Sequence, residues 1–181
     1  MTKIDEIIKP ENALEEAIIN DVEFIDGASY GKPRPGHPEG EVINHIKEVL
    51  DNVDKFSDSI DRIDLRLVTI IHDTFKYRVD RNKPKVGNNH HGKIARGFAE
   101  KFELSAYLLD IIELHDEAYN SWSVGNKKSD WNKAKNRAEI LIKKLGSHLN
   151  LYLKFFKCDT LTGNKTDESL KWFEELINSQ K

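Results

Sequence analysis

An all-α fold built as one domain is the class that the 181-residue sequence predicts. Three observations carry it. Apolar residues recur at spacings of three and four through nearly every regular stretch, the period of a helix with one buried face. No Asn-Gly or Asp-Gly pair joins two alternating runs, which is the short-range mark of a β-hairpin. Leu, Ile, Val and Phe total 50 residues, enough to fill a core. A domain of about 150 residues buries roughly 70% of its unfolded surface and needs no staples.

The elements follow in chain order. Pro10-Glu11 begins a short helix with Leu14, Ala17, Ile18 and Val22 on one face, because Pro is tolerated where its missing N–H had no partner. Gly27 to Gly40 holds four Gly and three Pro and reads as a loop. Its length marks it as a functional candidate. From Glu41, the residues Val42, Ile43, Ile46, Val49, Leu50 and Val53 have helical period. A second long helix starts near Ser59, a candidate cap, with Arg62 and Arg66 on its wet face. Its apolar stretch around Thr69 recurs at three and four, which argues against a strand. A loop from about Val79 to Asn89 precedes helices over His90–Phe102 and Ser105–Tyr119, with Ser105 as N-cap. Ser121–Ser129 reads as loop. Trp131 to about Leu161 reads as one long helical stretch bent at Gly146, and a last helix starts at Thr166 or Asp167.

Composition excludes several classes. With 28 Lys+Arg against 31 Asp+Glu, the chain is no bulk polycation that coats nucleic acid or membrane. A single cysteine, Cys158, excludes a disulfide framework and any cysteine-based zinc knuckle. It fits a reducing, cytoplasmic location. The charged N-terminus lacks the apolar core of a signal peptide. No run of 18 apolar residues exists to span a membrane.

The histidines carry more information. His45 lies mid-helix beside Ile46. His72-Asp73 ends the next helix, straight after Ile70 and Ile71. His90-His91 opens the third helix, His115-Asp116 follows the apolar part of the fourth, and Asp159 follows Phe155 and Phe156. Imidazoles and carboxylates thus sit beside core-facing residues on successive helices. A buried polar group of this kind costs several kcal/mol unless it finds a partner or sheds its charge. A metal ion is one such partner. Nitrogen and oxygen donors suit Zn, Fe, Mn, Ni or Co, and facing helices bring distant residues to one point. Any single histidine, taken alone, reads as an ordinary core residue; the ordered set changes that.

The set resembles the HD superfamily of metal-dependent phosphohydrolases, whose pattern is a His on one helix, a His-Asp pair ending the next and an Asp on a later helix. His72-Asp73-Thr74-Phe75-Lys76 has the superfamily's HD-x-x-K form. Gly36-His37-Pro38-Glu39-Gly40-Glu41 resembles the segment before the first ligand in HD domains of bacterial CCA-adding tRNA nucleotidyltransferases. Lys157 to Asn164 resembles the closing Asp segment. Only about 26 residues precede the match, so tRNA end-addition does not carry over.

The resemblance implies a single-domain HD-type helical bundle over 27–164. Residues 1–26 form a helical extension packing on it, and 165–181 its C-terminal helix. It implies that His45, His72, Asp73 and Asp159 hold a first divalent metal (Mn, Fe, Ni, Co or Zn, with Mg compatible). His91 and His115 hold a second or donate to substrate phosphate. Asp73 bridges the metals and orients the water, and Lys76 balances phosphoryl charge. Two residues adjacent on a helix point about 100° apart, so His90 and His91 are rivals for one ion. The implied reaction is cleavage of a phosphomonoester or phosphodiester, foremost of a nucleotide, by a metal-activated water. RNA ends are a further substrate version. The alternative is a non-catalytic HD-fold module that binds a nucleotide for regulation.

Charge supports an anion site. Residues 76 to 96 hold seven bases and one acid, while the rest of the chain carries a net −9. A basic segment leading out of a cleft draws anions inward. Arg78, Arg96 and His37 join Lys76 as candidate substrate contacts.

Overall fold

Helical spacing in the sequence becomes helix along almost the whole chain. The computed structural model describes residues 3–33 and 38–180, which contain no strand. His37 lies outside the described residues. Three short N-terminal helices, α1 (Lys3–Ile8), α2 (Ala13–Ile19) and α3 (Val22–Ala28), lead into α4 (Val42–Phe56) and α5 (Arg62–Ile71). Two 3-10 turns, Thr74–Arg78 and Gly87–Asn89, precede α6 (His91–Ala99) and α7 (Ala106–Leu114). The chain closes with α8 (Glu117–Lys128), α9 (Trp131–Leu145), α10 (Leu149–Thr160) and α11 (Glu168–Asn178).

At the centre, α4 packs against α5 and α10. Ile46, Val49 and Val53 of α4, Val68, Ile70 and Ile71 of α5, and Phe155 and Phe156 of α10 all belong to the buried core. Each such side chain contributes about 1.5–3 kcal/mol by leaving water. Ile4, Ile8, Ile18, Ile19 and Phe24 belong to the same core, so the N-terminal helices share the interior of the bundle. Asn52 of α4 donates to the carbonyls of Cys158 and Leu161, each at 2.9 Å. That bond pair fixes α4 against the end of α10 and so sets the distance between His45 and Asp159.

Several element boundaries differ from the sequence expectation. The segment read as one helix with Val22 on its face is two, because Asn20 ends α2 and Asp21 caps α3 by accepting from the Glu23 amide at 2.8 Å. α5 starts at Arg62, three residues after Ser59. Arg66, expected on the wet face, is 3% exposed and holds buried Glu15 through two bonds of 2.9 and 2.8 Å. Residues 121–128 are helix, where the polar composition read as loop. There, Gly125 lets α8 approach the ring of Trp131; a Cβ would lie 2.2 Å from it. The long stretch after Trp131 breaks into two helices at Gly146, whose φ of 51° is a left-handed conformation that suits glycine.

Candidate metal centre

Local backbone chemistry presents the first histidines. His72 is the residue at the C-terminal end of α5, and His115 occupies the same place on α7. Each helix end leaves carbonyls without intrahelical donors. His72 Nδ1 donates to the Thr69 carbonyl and His115 Nδ1 to the Ile112 carbonyl, both at 2.8 Å. A carbonyl can only accept, so both Nδ1 atoms carry the proton and, in the neutral ring, both Nε2 atoms present lone pairs. This is the arrangement that orients and polarises metal-ligating histidines. Each of the two histidines is followed by an aspartate, Asp73 and Asp116, so the same device occurs twice in the chain.

Asp73 stands between two histidine groups. Its Oδ2 lies 3.6 Å from Nε2 of both His45 and His72. Its Oδ1 lies 3.3 Å from Nε2 of both His91 and His115. On the first side, Asp159 Oδ1 approaches His45 Nε2 at 3.0 Å, and the ligand atoms of His45, His72 and Asp159 fall within 4.8 Å of one another. On the second side, those of Asp73, His91 and His115 do the same. The six residues expected as ligands, from five separate parts of the chain, therefore meet at one place.

Burial sets the charge of this centre. His72 is fully buried, and burial drives its pKa from 6.5 down to about 3, against the pull of Asp73. Its Nε2 is buried with no hydrogen-bond partner among the described residues. Burial also lowers the pKa of His91. It pulls His115 the same way, but the Asp73 hydrogen bond and the charges of Asp116 and Asp73 outweigh it and leave His115 above its ordinary value. Burial opposes ionisation of Asp73 and Asp159, yet Lys76 and His72 carry Asp73 well below the carboxylate range, and Lys165 with His45 does so for Asp159. Two ionised carboxylates thus converge with imidazoles, of which burial disfavours the charged form at His72 and His91.

The close approach of α6 and α7 completes the second side. A Cβ on Gly92 would lie 2.4 Å from the Glu113 carbonyl, so only glycine allows α6 to lie this near the end of α7. His91 Nε2 reaches His115 Nε2 at 3.0 Å as a result. His90 is not helical. With φ −97° and ψ 131° it caps α6, accepting from the Gly92 amide through Nδ1 at 3.2 Å. The expected divergence of two helical neighbours therefore does not apply. The two rings lie 4.6 Å apart, and His90 Nε2 faces Asp116 Oδ2 at 3.3 Å. His90, His91 and Asp116 form a third group with metal-ligand spacing.

Two cavities reach the centre. One, of about 580 Å³, touches His45, Asp73 and Lys76; the other, of about 970 Å³, touches Lys76, His90, His91 and Asp116. Lys76, on the 3-10 turn three residues beyond Asp73, pairs with Asp73 Oδ2 and faces both cavities. Tyr30 and Arg81 line both as well, with Arg81 donating to the Tyr30 hydroxyl at 2.6 Å.

Arg78 and Arg96, expected as substrate contacts, line neither of these two cavities. Arg78 pairs with Glu23 at 2.8 Å, and Arg96 with Asp110 at 2.5 Å and Glu113 at 3.0 Å. Carboxylates that the basic sequence window did not include neutralise both. Sequence reasoning also missed residues that build the site. Lys165 donates to Asp159 Oδ1 at 3.1 Å. The buried Tyr152 hydroxyl accepts from the Ala118 amide and contacts the His115 carbonyl, both at 3.1 Å, holding the break between α7 and α8. The repeat of His-Asp at 72–73 and 115–116 was the available signal for that break.

The chain matches no family model, no curated protein and no solved structure in the comparisons made. Among the described residues, no helix is long and apolar enough to cross a membrane.

Proposed function

We propose that the protein is a metal-dependent phosphohydrolase of the HD type, cleaving a phosphomonoester or phosphodiester of a nucleotide. The observation that carries this reading is Asp73, whose two oxygens face two separate histidine groups. The donors fit divalent transition ions, since they are imidazole nitrogens and ionised carboxylates. The fit rests on the buried His72 Nε2, which has no hydrogen-bond partner among the described residues, and on two rings whose tautomer is set by backbone carbonyls.

His45, His72, Asp73 and Asp159 would hold one ion, and Asp73, His91 and His115 a second. Divalent ions held there would lower the pKa of a bound water and offset phosphoryl charge. The chain's own residues do the rest. Lys76 faces both cavities and places a positive charge where a phosphoryl oxygen would sit. Lys165 holds the Asp159 carboxylate, and the carbonyls of Thr69 and Ile112 hold two imidazoles in register.

The test begins with protein purified without chelating resin. Elemental analysis is expected to find one or two equivalents of transition metal, and bis-p-nitrophenyl phosphate and a nucleotide panel to be hydrolysed. Asp73→Ala should remove metal and activity together. Metal-free protein with no ester hydrolysis under any added divalent ion would overturn the reading.

A further inference from the structure

The larger cavity is longer than one phosphate requires. Its wall is one face of α8: Glu117, Asn120, Ser123, Val124, Lys127 and Lys128 all line it. Steps of three and four keep these residues on one side of a helix. The cleft therefore follows α8 from Asp116 outward. At 1.5 Å per residue, Lys127 stands about 15 Å along the axis from Glu117.

Charge varies along that length. At the inner end lie His91, Asp116 and Lys76. In the middle, α8 contributes Asn120, Ser123 and Val124, which carry no charge. The ionic groups packed beside this stretch are paired, Arg137 with Glu117 at 2.6 Å and Lys93 with Glu113 at 3.5 Å, while Arg81 and Lys85 line the cavity from the loop after the first 3-10 turn. At the outer end Lys127 and Lys128 are exposed and make no ion pair among the described residues. Two anion-accepting ends thus flank a neutral, partly apolar middle. Along the α8 wall a continuous polyphosphate would meet no cation between the two ends. A nucleoside has the neutral, hydrogen-bonding character of the middle.

We infer that the cleft takes a ligand in which phosphates lie on both sides of a nucleoside, with Lys127 and Lys128 binding the phosphate remote from the metal centre. This inference rests on the proposed phosphohydrolase reading, whose substrate it narrows. The ligand chemistry is that of a 5′-phosphorylated dinucleotide, whether free or at the end of a single strand.

Equilibrium binding tests it without requiring turnover. In chelator, a fluorescent 5′-phosphorylated dinucleotide and the same dinucleotide lacking that phosphate are titrated against the native protein and against Lys127→Ala/Lys128→Ala. Both substitutions are exposed and lie in the last turn of α8, so the fold is retained. Loss of charge-assisted contacts is expected to weaken the phosphorylated ligand about tenfold or more. The ligand lacking the phosphate should bind the two proteins equally. An equal loss for both ligands, or no binding of either, overturns the inference. A 5′-phosphorylated decanucleotide that binds as tightly as the dinucleotide or tighter assigns the ligand to strand ends, and a weaker one assigns it to the free dinucleotide. Failure of ester hydrolysis with this pattern intact would remove the enzyme reading and leave the ligand class. Hydrolysis without the pattern would do the reverse.

Discussion

His72 concentrates the physics of the centre in one side chain. It is fully buried, donates through Nδ1 to its own helix, and leaves Nε2 without a hydrogen-bond partner among the described residues. Its folded-state pKa of about 3 lies below the ordinary 6.5, so between those values the unfolded chain binds the extra proton. Stability therefore rises with pH across that window and is lost as pH falls through it. Asp73 and Asp159, also depressed, act in the same direction at the lower edge. His115, raised, acts in the opposite direction, its contribution being present below pH 6.5 and lost as pH rises through its folded value. For chelated protein we expect the urea midpoint to fall steadily from pH 6.5 to 4. His72→Gln should flatten that dependence, because glutamine does not titrate. An unchanged slope in the variant would show that His72 is not the group responsible.

At the scale of elements, the candidate centre depends on how closely α6 can lie against α7. The backbone carbonyl of Glu113 occupies the space where a Cβ of residue 92 would be. A carbonyl cannot rotate aside as a flexible side chain can, so Gly92→Ala pushes the helices apart. We expect a loss of about 1–3 kcal/mol, the usual cost of overpacking, measured by urea denaturation. Separation of His91 from His115 should also lower the bound metal toward one equivalent while leaving the ion at His45, His72 and Asp159. Full metal content in the variant would show that the approach is not required. The helices themselves were legible from apolar spacing, as α4 and α6 illustrate. The break at 115–116 and the helix over 121–128 were not, whereas the bend read at Gly146 is a full break. The causes of the first two are the Tyr152 hydroxyl and the Trp131 ring against Gly125, contacts that local composition does not encode.

Over the whole molecule, one buried ion pair ties the N-terminal helices to the bundle. Arg66 of α5 holds Glu15 of α2 in a bidentate pair, and its guanidinium also reaches the carbonyls of Ile8 and Lys9 at 3.4 and 3.3 Å. Removing Glu15 leaves the buried guanidinium with only the more exposed Glu11, at 3.2 Å; breaking a buried pair costs up to about 3–5 kcal/mol, whereas apolar replacement of both partners is often neutral. Glu15→Ala should therefore lower the urea midpoint sharply, and Glu15→Met combined with Arg66→Met should recover much of the loss. A double variant no better than the single would show that packing, rather than stranded charge, dominates. The sequence alone placed Arg66 on a wet face, because nothing local reveals a carboxylate 51 residues away.

By itself the sequence determined that the chain is helical, with one core, and that histidines and aspartates lie beside core-facing positions on successive helices. Those properties are periodic or local, so spacing records them. Only the tertiary structure decided that Asp73 stands between two histidine groups, that Arg78 and Arg96 are neutralised while Lys127 and Lys128 make no ion pair among the described residues, and that α8 walls a long cleft. These are relations between distant segments, set by which helices touch and how closely, and a linear pattern carries no record of that distance.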